Sequence, residues 1–400
     1  MPDLTYLDWP FFDDRHRAFS KELRAWAEDE IAPLQHEEPQ GNEALDKLTK
    51  TFIRKLGEGG WLKFCVPVAY GGMLETFDVR TLALTRETLS YYSGLADFAF
   101  AMQGLGTGSI TLFGSEEQKL AYLPSVAQGD KIAAFAMSEP EGGSDVAAMS
   151  TTAELDGNEY TLNGTKTWIS NAGIADHYVL FARTGEAPGA KGLSAFIIEA
   201  DTPGMTVSER INVIAPHPLG TLTLENCRIP TVNMLGNPGD GFKVAMATLD
   251  VFRTTVGGAS LGFARRAMDE AIGRSKDREA FGKPISEFQL TQQKLADSVT
   301  ELWAARLMTF ATARAMDEAE SEEDLKRVHS KAAMAKLFST ESCKYITEEA
   351  VQIHGGYGYI REYPVERYMR DSRVTTIFEG TSEVQKLNLF RTMWGRFRDE

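Results

Sequence analysis

A change of period near residue 132 sets what this chain can fold into. "TTAELDGNEYTLNGTKTWIS" carries two turn signals, Asp156-Gly157 and Asn163-Gly164, and Tyr160, Leu162, Lys166 and Trp168 alternate around the second as in a hairpin. "HYVLFART", "LSAFIIEA", "MTVSERI" and "GTLTLENCRIP" continue as short β-rich runs divided by Gly, Pro and Asp. Strands this close together leave no room for crossover helices, which argues against a nucleotide-binding βαβ fold.

Helical period rules on both sides of this block. "RHRAFSKELRAWAEDEIAPL" spaces Phe19, Leu23, Trp26 and Ile31 as a helix does and stops before Pro33. "DVRTLALTRETLSYYSGLADFAFAMQGLG" is apolar enough to be buried on more than one side, and Pro67 with Gly71-Gly72 reads as loop. After Gly241 the helical pattern returns, with Leu295, Val299 and Leu302 forming one stripe. "DEAESEED", 317–324, reads as a solvated acidic connector between two long helices. The predicted order is helices, strands, helices.

Composition narrows the function. Asp and Glu outnumber Lys and Arg by 57 to 42, a formal charge of −15 that disfavours nucleic acid as a partner. It leaves open a polyanionic small molecule in a local basic pocket. No run approaches the roughly 18 apolar residues of a membrane span, and "MPDLTYLDWPFFDDRHR" lacks the regions of a signal or transit peptide. Cys65, Cys227 and Cys343 lie far apart without CxxC spacing, as reduced thiols of a cytoplasmic protein would. The histidines show no ligand spacing, so no protein-ligated metal is expected.

Several stretches carry chemistry, each with a bland alternative. "AFAMSEPEGGSDVAAMSTTA" offers Gly142, Gly143 and Ser144 for close approach to a planar or phosphorylated ligand, or is simply a loop into the strands. "QIHGGYGYIREYPVERYMRD" has Gly355, Gly356 and Gly358 after a helical run, a pattern that also caps a helix. "KDREAFGKPISEFQ" places Arg278, Phe281 and Gly282 together, as an ordinary basic helix end would. In "TTIFEGTSEVQ", Glu379 follows Ile377-Phe378 and precedes Gly380, so it is either a surface carboxylate or a base kept from water.

Taken in their order, these stretches resemble the acyl-CoA dehydrogenase family over essentially the whole chain. "AMSEPEGGSDVAA" looks like the first family signature and "QIHGGYGYIREYPVERYMRD" like the second, with "WIS" (168–170), "RxxFG" (278–282) and "FEGTSEVQ" at family spacing. The resemblance implies an α+β protein: an N-terminal helical domain (1–131), a middle β-barrel-like domain (132–241) and a C-terminal four-helix bundle (242–400). It also implies FAD between the last two domains. Phe135 to Ser144 (with Met137, Ser138 and Gly143) and Trp168, Ile169 and Ser170 should border the flavin ring. Arg278 and Phe281 should reach the FAD of a neighbouring subunit, Gln289 and the run Gln352, Gly355, Gly356 should serve the adenosine end, and Thr381 and Glu383 should touch the cofactor. Ala280 stands where many relatives carry a Thr that helps hold the phosphates.

Glu379 matches the family's catalytic base. It is expected to remove the α-proton of an acyl thioester while the β-hydride goes to flavin N5, giving a 2-enoyl-CoA, with Gly380 close to the substrate. Hydrogen bonds on the thioester carbonyl, from the Glu379 N–H and a ribityl hydroxyl, would stabilise the developing enolate. Other members carry the base where Phe252 stands here. That ring cannot abstract a proton and would instead narrow the acyl cavity. Asp250 and Arg253 match residues that contact CoA, and Ser144 one that reaches its pantetheine arm. Phe98, Phe100 and Met102 would shorten the pocket, pointing to a short, branched or cyclic acyl group. Asp97 either faces solvent or another helix, or meets a polar part of the substrate. The leading reading is an acyl-CoA dehydrogenase passing electrons to an electron-transfer flavoprotein, as a homotetramer. An acyl-CoA oxidase or flavin-dependent monooxygenase of the same fold, and a catalytically silent flavoprotein, are its rivals.

Overall fold

The computed structural model describes residues 4–35 and 38–398. Helices α1 (Asp14–Glu30), α2 (Gly41–Glu58), α3 (Val79–Tyr92), α4 (Gly94–Phe113) and α5 (Glu116–Ala127) come first. Strands β1 (Ala133–Ala136), β2 (Thr152–Asp156), β3 (Glu159–Ser170), β4 (His177–Arg183), β5 (Leu193–Glu199), β6 (Met205–Arg210), β7 (Leu219–Pro230) and β8 (Met234–Leu235) follow. Helices α6 (Gly241–Asp277), α7 (Gln289–Asp317), α8 (Glu322–His354), α9 (Val365–Arg373) and α10 (Ser382–Arg398) complete the chain. The order is the one expected: helices, sheet, helices. Among the described residues no helix is long and apolar enough to cross a membrane.

The chain divides into two compact units. One takes residues 1–37, 78–97 and 253–400, the other 38–77 and 98–252. The cuts fall inside α4, between Asp97 and Phe98, and inside α6, between Phe252 and Arg253.

In the second unit β1–β8 form one sheet in the order β6-β7-β3-β2-β4-β5-β8, with β1 parallel to β4. Asp156-Gly157 makes the β2–β3 hairpin, Asp156 opposite Glu159 and Gly157 at φ 64°. The Asn163-Gly164 expectation fails: both residues lie inside β3, which runs on to Ser170. The register against β7 shifts between Leu162 and Gly164, so this pair makes a bulge instead of a turn. The glycine is needed because a Cβ there would lie 2.5 Å from Thr151 Oγ1. One face of the sheet (Val179, Phe181, Ala195, Ile197) packs on Ile110, Leu123, Val244 and Ala245 from α4, α5 and α6. Removing that apolar area from water stabilises the unit by roughly 25 cal/mol per Å².

In the first unit α3 is buried from Val79 to Ser90, including Arg86 and Glu87, as its apolar run predicts. Asp78 caps it, accepting from Thr81 N at 2.8 Å. The α7 stripe is only partly as expected: Leu302 is buried, Leu295 partly so, while Val299 is 40% exposed. The acidic connector begins with an exception. The Asp317 side chain is buried, accepts from Val79 N, Arg80 N and Arg80 Nε, and so ties the end of α7 to the start of α3.

Candidate active site

Glu379 sits on the turn between α9 and α10 with a left-handed backbone, φ 51°, followed by Gly380 at φ 92°. The first is costly for a residue with a Cβ, on the order of 1–2 kcal/mol. At Gly380 the positive φ strains any residue with a Cβ, which would also meet Gln385 Nε2 at 2.4 Å. Outside bonds hold the turn. The Glu379 carbonyl accepts from Arg253 Nε (3.1 Å) and Gln385 Nε2 (3.2 Å). The Gly380 carbonyl accepts from Lys336 Nζ (2.8 Å) and Gln385 Nε2 (3.1 Å). The side chain is left to other work: Glu379 Oε2 is buried and takes no hydrogen bond among the described residues.

Burial pushes the Glu379 carboxyl above its ordinary value. Arg86, Arg253 and Lys336 pull it down and Asp97 pushes it up. Asp97 is itself buried and bound on both oxygens by Arg86, Nε to Oδ1 at 2.9 Å and Nη2 to Oδ2 at 3.0 Å, while Arg86 Nη1 donates to Thr255 Oγ1. Of the two alternatives left open for Asp97, this geometry is that of a carboxylate facing another helix, α3.

Elsewhere in this unit Arg278, Gln289, Gln352, Gly355, Gly356 and Glu383 are exposed, and Thr381 is partly buried. Phe281 is 98% exposed on a left-handed backbone, φ 51°.

In the other unit the stretch from Phe135 to Ser144 leaves β1 and turns at Gly142, whose N–H and carbonyl pair with Glu139. Phe135 packs on Phe181 at 4.9 Å, Met137 is buried, Ser138 is partly buried, and Gly143 and Ser144 are exposed. Trp168 is 58% exposed at φ 60°, where the β3–β7 register shifts again, and Ile169 beside it is buried. Ser170 closes the strand. Glu139, Lys166, Arg86 and Lys336 escaped the sequence reading. Lys166 Nζ donates to Glu139 Oε1 at 2.7 Å and to Met137 O at 3.3 Å, both side chains buried. Burial raises the Glu139 carboxyl, but Lys166 and donors from Ser150 and Thr151 outweigh it and hold it at about 2. The available signal was a charged residue at a position where the period calls for an apolar one.

Phe100 and Phe252 are fully buried, and Asp250 is partly buried. Phe252 lies over two glycines of α4. A Cβ on Gly104 would come 2.5 Å from its Cε1, and one on Gly108 3.0 Å from its Cε2. Phe77 meets the ring edge-on at 5.9 Å. Helix propensity alone favours Gly104→Ala by about 1 kcal/mol. The clash should reverse that sign and destabilise the protein by about 1–3 kcal/mol, with Phe252→Leu restoring the loss. Thermal melting of the single and double variants checks this, and an unchanged single variant would show that the ring moves freely.

With the geometry described, the comparisons with known proteins decide the family. Three family descriptions match in succession: acyl-CoA dehydrogenase N-terminal domain over residues 13–130, middle domain over 134–227 and C-terminal domain over 239–394. The chain belongs to the acyl-CoA dehydrogenase family. The mitochondrial short-chain specific acyl-CoA dehydrogenase of Homo sapiens is 40% identical over 94% of this chain and 89% of its own. The butyryl-CoA dehydrogenase structure from Megasphaera elsdenii superposes with a TM-score of 0.86 at 34% identity, covering 96% of this chain and 99% of that one. An acyl-CoA dehydrogenase from Bacillus anthracis complexed with FAD gives a TM-score of 0.86 at 33% identity, covering all of this chain and 72% of that one. The protein is therefore an oxidoreductase of an FAD-dependent acyl-CoA dehydrogenase family. Among the described residues no cluster of His, Cys, Asp and Glu could hold a metal ion.

Proposed function

We propose that the protein dehydrogenates a short, branched or cyclic acyl-CoA at its α,β-bond, with Glu379 as the base. The observation that carries this reading is the buried Glu379 carboxyl, whose Oε2 takes no hydrogen bond among the described residues, while three side chains hold the carbonyls of Glu379 and Gly380. The oxygens of Asp97 and Glu139 are bonded, and although Glu87 Oε2 is also without a partner, Glu87 Oε1 accepts from Arg306 and Arg265. Burial raises its proton affinity, so it is a stronger base than an exposed carboxylate.

In the proposed reaction Glu379 takes the α-proton, and the Glu379 N–H donates to the thioester carbonyl as charge gathers there. FAD, when bound, supplies the acceptor for the β-hydrogen and its electron pair. Residues that would hold it include Trp168, Ser170 and Gly355, with Arg278 reaching the FAD of a neighbouring subunit. The chain offers what such a group needs: an exposed indole face at Trp168, and open backbone at Gly143, Gly355 and Gly356, where a Cβ would meet nothing within 4 Å. Arg278 adds a cation for a pyrophosphate.

The acyl class rests on bulk. Phe100, Met102 and Phe252 are bulky and buried, which suits a compact acyl pocket, and the human relative is named for short-chain substrates. The same proposal includes domain limits at 131/132 and 241/242, a homotetramer, and an electron-transfer flavoprotein as acceptor. The test is an anaerobic panel of straight, branched, cyclic and aromatic acyl-CoAs. Bleaching of the flavin band by short or compact thioesters supports it. Bleaching by long chains alone overturns the acyl class. No bleaching by any thioester, with FAD bound, overturns the dehydrogenase reading in favour of a monooxygenase or silent flavoprotein.

A further inference from the structure

Lys336, on α8, is a charged residue with no exposed surface. Burying an ammonium is costly unless something nearby needs the charge. Its Nζ donates to the carbonyl of Gly380, directly after Glu379, at 2.8 Å. That carbonyl and the one before it belong to two successive left-handed residues, so no helical ladder satisfies them. Donors from three helices do so instead: Arg253 of α6, Lys336 of α8 and Gln385 of α10. A neutral side chain could supply the hydrogen bond alone. Of the charges around Lys336, the Glu379 carboxylate stabilises the ammonium most, Glu341 and Glu383 less, and Arg253 opposes it. Burial nonetheless brings its ammonium down to about 8.

We propose that Lys336 is a positioning residue for the base: its bond to the Gly380 carbonyl locks the Glu379 turn, and its charge acts on the Glu379 carboxylate. The inference rests on Glu379 being the base. Freed of this bond, the turn would relax from its left-handed backbone and carry the carboxyl away from the α-carbon. A displacement of about 1 Å at a reacting group is worth on the order of 100-fold in rate. Loss of the cation would leave Glu379 facing Arg86, Arg253 and Asp97, and its carboxyl would keep its proton to higher pH.

The test uses the FAD-loaded protein and the thioester that bleaches the wild type fastest, with Lys336→Met, Lys336→Gln and Glu379→Gln in parallel. Lys336→Met should slow bleaching at saturating thioester on the order of 100-fold, with a much smaller change in the thioester dissociation constant. Lys336→Gln can still donate to the Gly380 carbonyl. It should regain most of the rate, with the acid limb of its pH profile moved upward. If Lys336→Met does not fold, the glutamine variant's pH profile decides. Wild-type rates and pH profiles in both variants, with Glu379→Gln silent, would overturn the role of Lys336 alone. A Glu379→Gln variant as fast as wild type would overturn the base itself, and this inference with it.

Discussion

Glu379→Gln should leave FAD in place and slow anaerobic bleaching by acyl-CoA on the order of 1000-fold. The amide keeps the shape of the carboxyl and the backbone bonds from Arg253, Gln385 and Lys336, so folding and cofactor content should hold. What it loses is the ability to accept a proton. Asp97 has both oxygens bound by Arg86, and Phe252, at the position expected to match the base of other members, has no group that accepts a proton. Wild-type protein should also bleach more slowly as pH falls, because protonation of Glu379 removes the base. Its pKa is raised, so this loss should begin above the usual carboxylate range. A glutamine variant within tenfold of wild type would show that Glu379 is not the base.

The sequence singles out Glu379 as the proposed base on local grounds. "FEGTSE" places a carboxylate between apolar residues and a glycine, but the left-handed turn is held by Arg253 and Lys336 from distant helices as well as by the nearby Gln385. The order of helices and strands was readable because period is a local property. Signals failed where a distant element decided the outcome. Asn163-Gly164 has the composition of a turn, yet β7 and Thr151 hold it in a continuous strand as a bulge. Asp317 belongs to an acidic run that looks solvated, but the N-terminus of α3 recruits it as a buried acceptor 238 residues from its donor Val79. Lys336 could not be recognised as a clamp because its acceptor lies 44 residues later on another element. Asp97 is a carboxylate in an apolar helical run, and the sequence does not reveal its partner. Arg86 is only 11 residues away, but the break at Ser93, φ −153° and ψ 122°, separates α3 from α4 and decides that the two side chains meet.

That pair should give the second large effect, on stability and pH dependence together. Arg86 and Asp97 are 1% and 3% exposed and joined by two bonds. Removing one partner of such a pair leaves a buried charge uncompensated, at about 3–5 kcal/mol. Asp97→Leu and Arg86→Met should each lower the melting temperature markedly, and the double variant should recover much of the loss because neither charge then remains. The single variants should differ in catalysis. Asp97→Leu removes the carboxylate that raises Glu379 and frees the full charge of Arg86, which lowers it. Its acid limb should therefore move to lower pH. Arg86→Met removes the cation that most lowers Glu379, so its acid limb should move to higher pH. Opposite shifts would mean that this pair tunes the base as well as holding α3 against α4. Shifts of the same sign, or none, would reduce Arg86 and Asp97 to a structural bond. If the double variant melted no higher than the single ones, the loss would belong to packing and Thr255, which Arg86 also binds, more than to the unpaired charge.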